Sequence, residues 1–292
     1  MRDHAALFRV SLLGRVLSVS RSGYYAWRCR SASHRDGENA RLLVHIRLVY
    51  GRSRGSYGSP RVTEELRDQG FVCNEKRVAR LMRVHGIRSK SVRKFRATTD
   101  SRHSHPVSPN VVDRSFVADG PNRVWLADLT YIWTGEGWLY LAAVLDMYSR
   151  RVVGLATGPR IDGELALRAL RQAAGRRQPA PGLVHHSDRG VQYACRAYRK
   201  LLSEYRMIGS MSRKGDCWDN APMESFFGTL KQELVFQRRF ATRAEAAARL
   251  FEYIEVFYNG QRRHSSLGWL SPVDYERAYD HKQQKETDNL AV

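Results

Sequence analysis

Residues 123–157, RVWLADLTYIWTGEGWLYLAAVLDMYSRRVVGLAT, decide the fold. Three runs rich in Val, Leu, Trp and Tyr lie at Arg123–Trp133, Gly137–Asp146 and Arg151–Thr157. Short glycine or charged turns separate them, which is the pattern of three successive strands in a meander. Towards the C-terminus the periodicity predicts a helix over Gly163–Ala174, a Pro/Gly break, and a buried strand Leu183–Ser187 ending at Asp188. A helix Cys195–Tyr205, a short strand Ile208–Met211, a helix Ala221–Leu234 capped by Asp219 or Asn220, and one long helix Thr242–Tyr258 follow. Strand-helix alternation after a meander predicts a mixed α/β sheet with helices packed on it.

Towards the N-terminus the character changes. Residues 97–122 carry Thr, Ser, His and prolines without sustained period and read as a linker. Before them, Ser59-Pro60 starts a helix with Val62 and Leu66 on its apolar stripe and Gly70 as its stop. Asn74 caps a second helix in which Val78, Leu81, Met82 and His85 recur at i, i+3, i+4 and i+7, ended by Gly86. The pair reads as a helix-turn-helix. Lys76, Arg77, Arg80 and Arg83 lie largely away from the stripe, as a groove-reading helix requires, and an ordinary solvated basic face fits them equally well. A shorter stripe, Leu12, Leu13, Val16 and Leu17, precedes Tyr24, Tyr25 and Trp27, which read as core rings rather than base-stacking ones.

Lys and Arg outnumber Asp and Glu by 49 to 29, a formal net charge of +20, and residues 1–110 hold +15 of it. Such an excess points to a polyanion, nucleic acid ahead of an anionic membrane surface. The strongest apolar run, Trp138–Leu145, stops at Asp146, far short of a membrane span, and Arg9 and Arg15 interrupt any signal-peptide segment, so a cytosolic protein is expected. Cys29, Cys73, Cys195 and Cys217 form no C-x-x-C pair, and a zinc site from Cys29, His34, His45 and Cys73 fits no established spacing.

Three acids stand out. Asp128 interrupts an apolar strand, where a carboxylate is costly unless paired, solvated or metal-bound. Asp188 follows a buried strand, at the carboxyl end where open sheets place ligands, and Glu224 lies near the start of a helix 36 positions later. Taken singly, each is as readily a surface carboxylate or a cap. Together they offer three oxygen donors suited to a hard divalent ion such as Mg²⁺, and to phosphoryl displacement. Lys231 lies seven residues after Glu224, about two turns and roughly 10 Å along the same helix face, where it can hold a phosphate, with Gly228 leaving room between them. His185 and His186 read as hydrogen-bonding residues rather than ligands.

Several blocks resemble a known family. Trp125-x-x-Asp128-Leu-Thr-Tyr131, His186-Ser-Asp188-Arg-Gly-x-Gln192-Tyr193 and Asp219-Asn-Ala-x-x-Glu224-x-Phe-Phe-x-x-Leu-Lys231-x-Glu233 are similar to the three acidic motifs of bacterial insertion-sequence transposases with a retroviral-integrase-like core, encoded by the second of two overlapping frames. The 35 residues between Asp188 and Glu224 match that family's D,D-35-E spacing. Tyr258-Asn-x-x-Arg262-x-His264-Ser-x-Leu267-Gly-x-x-Ser-Pro272 resembles its C-terminal segment, and Ser20–Trp27 and Tyr57–Arg61 its N-terminal ones.

The resemblance implies a ribonuclease-H-like core, a five-stranded mixed sheet flanked by helices, preceded by a basic helical region. It implies a division into 1–96 for DNA binding, 97–120 as linker, 121–235 as catalytic core and 236–292 completing that core. Asp128, Asp188 and Glu224 would hold two Mg²⁺ or Mn²⁺ ions, with Lys231, Lys76, Arg77, Arg80 and Arg83 contacting DNA. The implied partners are the element's ends, target DNA, further copies of the chain assembled on DNA, and an upstream-frame protein or frameshift fusion, all at the bacterial nucleoid. The rivals are a ribonuclease-H-type nuclease that hydrolyses without joining, and a non-enzymatic DNA-binding regulator.

Overall fold

The computed structural model describes residues 1–31, 33–90, 108–112, 118–213 and 220–290. Two compact units, Met1–Arg88 and Ser89–Val292, make up the chain.

The first unit is helical: α1 (Val10–Val16), α2 (Arg21–Cys29), α3 (His34–Arg52), α4 (Ser59–Asp68) and α5 (Glu75–Val84). Pro60 sits in the first turn of α4, and the Asn74 side chain accepts from Arg77 N at 2.8 Å to start α5. Gly70 and Gly86 end the two helices with φ of +85° and +68°, a conformation costly for residues with a Cβ. Val62 and Leu66 meet Val78, Leu81 and Met82 in a buried core completed by Leu42, Ile46 and Val49 of α3. His85 does not continue the stripe: α5 ends at Val84, and His85 is exposed. Tyr24 is buried but Tyr25 and Trp27 stay about half exposed, because α2 packs chiefly on the short α1, too small a surface to cover three rings. The sequence pattern does not reveal α3, whose start is fixed by a capping box between Ser33 and Asp36.

The second unit is built on β1 (Val124–Thr134), β2 (Gly137–Asp146), β3 (Val152–Gly158), β4 (Val184–Ser187) and β5 (Ile208–Met211), in the order β3-β2-β1-β4-β5. The meander pairs antiparallel, whereas β4 runs parallel to β1 and β5 parallel to β4. Helices α6 (Gly163–Arg177), α7 (Val191–Ala194), α8 (Arg196–Glu204), α9 (Ala221–Glu233), α10 (Arg243–Phe251) and α11 (Pro272–Leu290) complete it. This is the mixed, helix-flanked sheet that the resemblance implied.

Helix α6, capped by Asp162, lies on the Trp125, Ala127, Ala142 and Val144 side of the sheet. It comes so close that a Cβ on Gly154 would stand 2.3 Å from the Ala169 carbonyl oxygen. The alternate residues Leu126, Ile132, Leu141 and Leu145 are buried as well, and α9 and α10 pack on β1. Both faces of the central strands are therefore covered.

The expected single helix Thr242–Tyr258 is two pieces. After α10 the chain widens into a π-helical stretch, Glu252–Tyr258, closed by Asn259 N donating to Ile254 O at 2.9 Å. Tyr253, Ile254, Phe257 and Tyr258 are buried along this stretch.

Of the expected linker at 97–120, residues 97–107 and 113–117 lie outside those described, as do Cys217 and Asp219. Its described part is docked: Val111 N donates to Ser210 Oγ at 2.9 Å and Val112 is buried, covering the edge strand β5. Lys90 is also tied down, its Nζ donating to Glu233 O at 2.9 Å and its carbonyl accepting from Gln232 at 2.7 Å.

Candidate active site

The parallel register of β1 and β4 brings the two aspartates together. Ala127 lies opposite Ser187, so the next residue on each strand is Asp128 and Asp188. Both are half-buried at the level where β4 ends. Asp128 Oδ1 accepts from Leu129 N at 2.7 Å, and Asp188 Oδ1 accepts from Gly190 N at 2.9 Å, turning the chain into α7.

Glu224 arrives from the first turn of α9 and is exposed. Asn220 anchors the start of that helix, its Nδ2 donating to Ala127 O at 3.4 Å. Asn220 occupies the expected cap position without making a capping hydrogen bond, since its side chain is used towards β1 instead.

The electrostatics show that the three acids share one field. Burial, the Asp188 charge and, more weakly, the Glu224 charge push the Asp128 carboxyl up to about 8, against the opposing pull of the Leu129 hydrogen bond and Lys231. Partial loss of solvent around its carboxyl raises Glu224 as well. Lys231 is buried, with Nζ 5.1 Å from the Tyr131 ring centroid. Its ammonium is lowered by burial and partly restored by Asp128. Lys231 thus reaches the acids from inside rather than from an open helix face, while Gly228 between it and Glu224 has open space where a Cβ would stand.

Two further atoms point at the same place. Tyr193 OH and Asn220 Oδ1 are buried without a hydrogen-bond partner, and the Tyr193 phenol is raised by burial and by the charges of Tyr198, Asp128 and Asp188. Both residues stand within the motif blocks quoted above, and their position beside the acids is the signal that single-residue reading missed. Oxygen-only donors, crowded carboxylates that resist ionising together, and unpaired polar atoms beside them fit a hard divalent cation. Among the described residues no group of three or more His, Cys, Asp or Glu side chains is placed to hold a metal ion by itself.

The histidines lie behind this site. His186 is buried between Ser210 Oγ at 2.9 Å and Ser212 Oγ at 3.1 Å, and His185 shares a hydrogen bond with Tyr198 OH at 3.1 Å. Burial pushes the His185 imidazole down to about 3, so it stays neutral. Both tie β4 to its neighbours, in keeping with the hydrogen-bonding role expected of them.

In the first unit, Lys76, Arg80 and Arg83 are exposed on α5, and Lys76 and Arg80 line a groove of about 540 Å³ with Arg35 and Asn74. Arg77 is turned inward: it donates to Asn39 Oδ1 at 2.8 Å and pairs with Glu38 at 3.0 Å, which joins α5 to α3.

The chain is similar to several known proteins. Residues 118–217 and 224–278 each match a family described as integrase core domain, and residues 38–95 match an HTH-like domain. The chain is 47% identical over 264 residues to an uncharacterized 31 kDa protein of insertion element IS600 from Shigella sonnei, covering 90% of this chain and 97% of that one. It is 43% identical over 278 residues to transposase InsF for insertion sequence IS3A of Escherichia coli (strain K12), covering 94% and 96%. Among solved structures, the HTLV-2 integrase catalytic core domain in complex with magnesium is 13% identical, with a TM-score of 0.43, covering 55% of this chain and 99% of that one. The catalytic core domain of BIV integrase is 17% identical, with a TM-score of 0.42, covering 56% and 99%.

Proposed function

The chain belongs to the insertion-sequence transposases with an integrase core, and from that premise we propose that Asp128, Asp188 and Glu224 are the residues with which it cuts and joins DNA. It is a DDE transposase, a polynucleotidyl transferase that acts on DNA. The relatives favour neither a nuclease limited to hydrolysis nor a non-enzymatic regulator.

The observation that carries the residue assignment is the parallel register that sets Asp128 beside Asp188 where β4 ends, with the charges of Asp188 and Glu224 both acting on Asp128. Divalent cations, two Mg²⁺ or Mn²⁺ ions in this reading, supply Lewis-acid polarisation of a phosphodiester and lower the pKa of the attacking hydroxyl when held by Asp128, Asp188 and Glu224. Lys231 holds a DNA phosphate beside those acids and balances their charge. Tyr193 OH and Asn220 Oδ1 have hydrogen-bonding capacity left for a buried water. Positioning a freed 3′-hydroxyl against a second phosphodiester then makes joining compete with hydrolysis.

The supporting division of labour is 1–96 for DNA ends through Lys76, Arg80 and Arg83, 97–120 as connection, 121–235 as catalytic core and 236–292 as its brace. Arg77, which lines the same groove as Lys76 and Arg80, belongs to this DNA-facing set in the same reading and also braces α5 through its Nε and Nη2 bonds to Asn39 and Glu38. Copies of the chain assemble on the element's ends with an upstream-frame partner or fusion, at the bacterial nucleoid. Among the described residues no helix is long and apolar enough to cross a membrane. The test is a strand-transfer assay with precleaved ends, Mg²⁺ or Mn²⁺ and plasmid target. Joints support the reading, and release of hydrolysed ends alone, with and without the upstream partner, overturns it.

A further inference from the structure

Beside Lys231 a cavity of about 570 Å³ is lined by Tyr131, Trp133, Trp138, Phe236, Arg238 and Arg239. Trp133 is 61% exposed and Phe236 53% exposed, a large uncovered aromatic area for a folded unit. The rings are held in place. Trp133 stands opposite Trp138 in the β1–β2 register with centroids 4.8 Å apart, and Tyr131 meets Trp138 at 5.0 Å, both edge to face. Gly135 N donates to Phe240 O at 2.9 Å and Arg243 Nε to Trp138 O at 2.9 Å, so the hairpin end is tied to the segment that carries the two arginines. Arg238 and Arg239 are exposed, and neither has a hydrogen-bond or ion-pair partner among the described residues.

We propose that this cleft binds an unpaired nucleobase of the DNA, stacked on the aromatic rings, with its flanking phosphates on Arg238 and Arg239. The inference rests on the catalytic reading above. Every base has a π-face that stacks on aromatic rings without regard to sequence, but paired bases in a duplex keep those faces covered. A purely apolar ligand or partner would leave the two cations without function, whereas a nucleotide uses rings and guanidiniums together. Lys231 joins the cleft to the acids, because it packs on Tyr131 while its charge acts on Asp128. A nucleotide held here therefore lies next to the phosphodiester being cut or joined, and frayed ends bind in preference to closed ones.

The experiment uses the full chain without divalent ions and measures anisotropy with three duplexes of equal length: one blunt, one with a short single-stranded tail, and one whose tail is abasic. The normal tail is expected to bind on the order of tenfold tighter than the abasic one, with 2-aminopurine in the tail quenched on binding. Trp133→Ala and Phe236→Ala should each erase that preference, and Trp133→Phe should keep most of it. Equal binding of normal and abasic tails, or a preference that survives both alanine variants, overturns the proposal. So does a change in sedimentation of Trp133→Ala with the preference intact, which would assign the cleft to a second copy of the chain. If circular dichroism shows that Trp133→Ala does not fold, Phe236→Ala and the quench in the unaltered chain decide. A preference without any strand joining in Mg²⁺ defeats only the catalytic reading, and joining without a preference defeats only the cleft.

Discussion

Arg262 closes on Glu233 with three hydrogen bonds of 2.8 to 3.1 Å, and both side chains are buried. Tyr253 OH adds a fourth to the same carboxylate at 2.7 Å, and the guanidinium lies 5.9 Å from the Tyr258 ring centroid. The helix that carries Glu224 and Lys231 is thereby clamped at its far end by a segment 29 residues downstream. Removing one partner of a buried pair leaves the other charge unpaired, at a cost of about 3–5 kcal/mol. Arg262→Ala should lose stability of that order in urea titrations, with Arg262→Lys intermediate because it cannot bond both oxygens in the same plane. A loss below about 1 kcal/mol would mean that the clamp is not structural.

Asp128→Asn, Asp188→Asn and Glu224→Gln should each abolish strand cleavage and leave DNA binding within about threefold of the parent, since each removes a ligand charge but little volume. Near-normal cleavage in Mg²⁺ by all three would disprove the assignment.

The acids also make stability depend on pH when divalent ions are withheld. The folded pKa of Asp128, about 8, lies above its ordinary 3.8, so its contribution is complete below the ordinary value and is lost as pH rises through about 8. Melting curves of the parent should fall relative to Asp128→Asn between about pH 4 and about pH 8. Asp188→Asn should flatten part of that fall by removing the neighbouring charge. A pH-independent difference between parent and Asp128→Asn would show that the carboxyl is not held protonated.

Lys231→Ala should reduce joining of precleaved ends more than it reduces nonspecific binding, because Lys231 acts at the acids and not across the DNA surface. Unchanged joints would leave the transposase standing and take its phosphate role from Lys231.

On α5 the exposed cations and Arg77 should separate in stability. Lys76→Ala, Arg80→Ala and Arg83→Ala should each lower the slope of log affinity against log salt by about one. Arg77→Ala should lower that slope as well and also lower the melting temperature, having lost Glu38 and Asn39. An unchanged slope for Arg77 would take it off DNA.

The meander strands were legible because each is a run rich in Val, Leu, Trp and Tyr between clear turns, and β5 begins and ends where the sequence reading places it. The aspartates were legible because carboxylates at such places conflict with their apolar surroundings. Residues whose role depends on a distant partner were not. Asp146 reads only as the end of an apolar run, yet it is buried and accepts from Asn122 N at 2.6 Å, Trp125 Nε1 at 3.2 Å and Tyr148 N at 2.9 Å. Asn259 holds β3 by both its oxygen and its nitrogen at 2.9 Å to Val152, and Glu276 gathers Arg151, Arg177 and Ser149. Nothing in their local periodicity marks them. The π-helical stretch escaped because its residues keep the apolar spacing of the α-helix before it, so periodicity does not mark the wider turn.

The register that sets Ala127 beside Ser187 has a consequence for how the protein is made. The meander is a local structure, complete once Gly158 has been synthesised, but it carries only one of the three proposed catalytic acids, Asp128. The second is contributed by a strand that must find β1 across a long crossover, the third by a later helix, and the clamp on that helix by Arg262, later still. Domains fold as units while the chain emerges N-terminus first. On the proposed assignment, a partial chain that ends before Glu224 lacks one member of the acid set and so lacks cutting power.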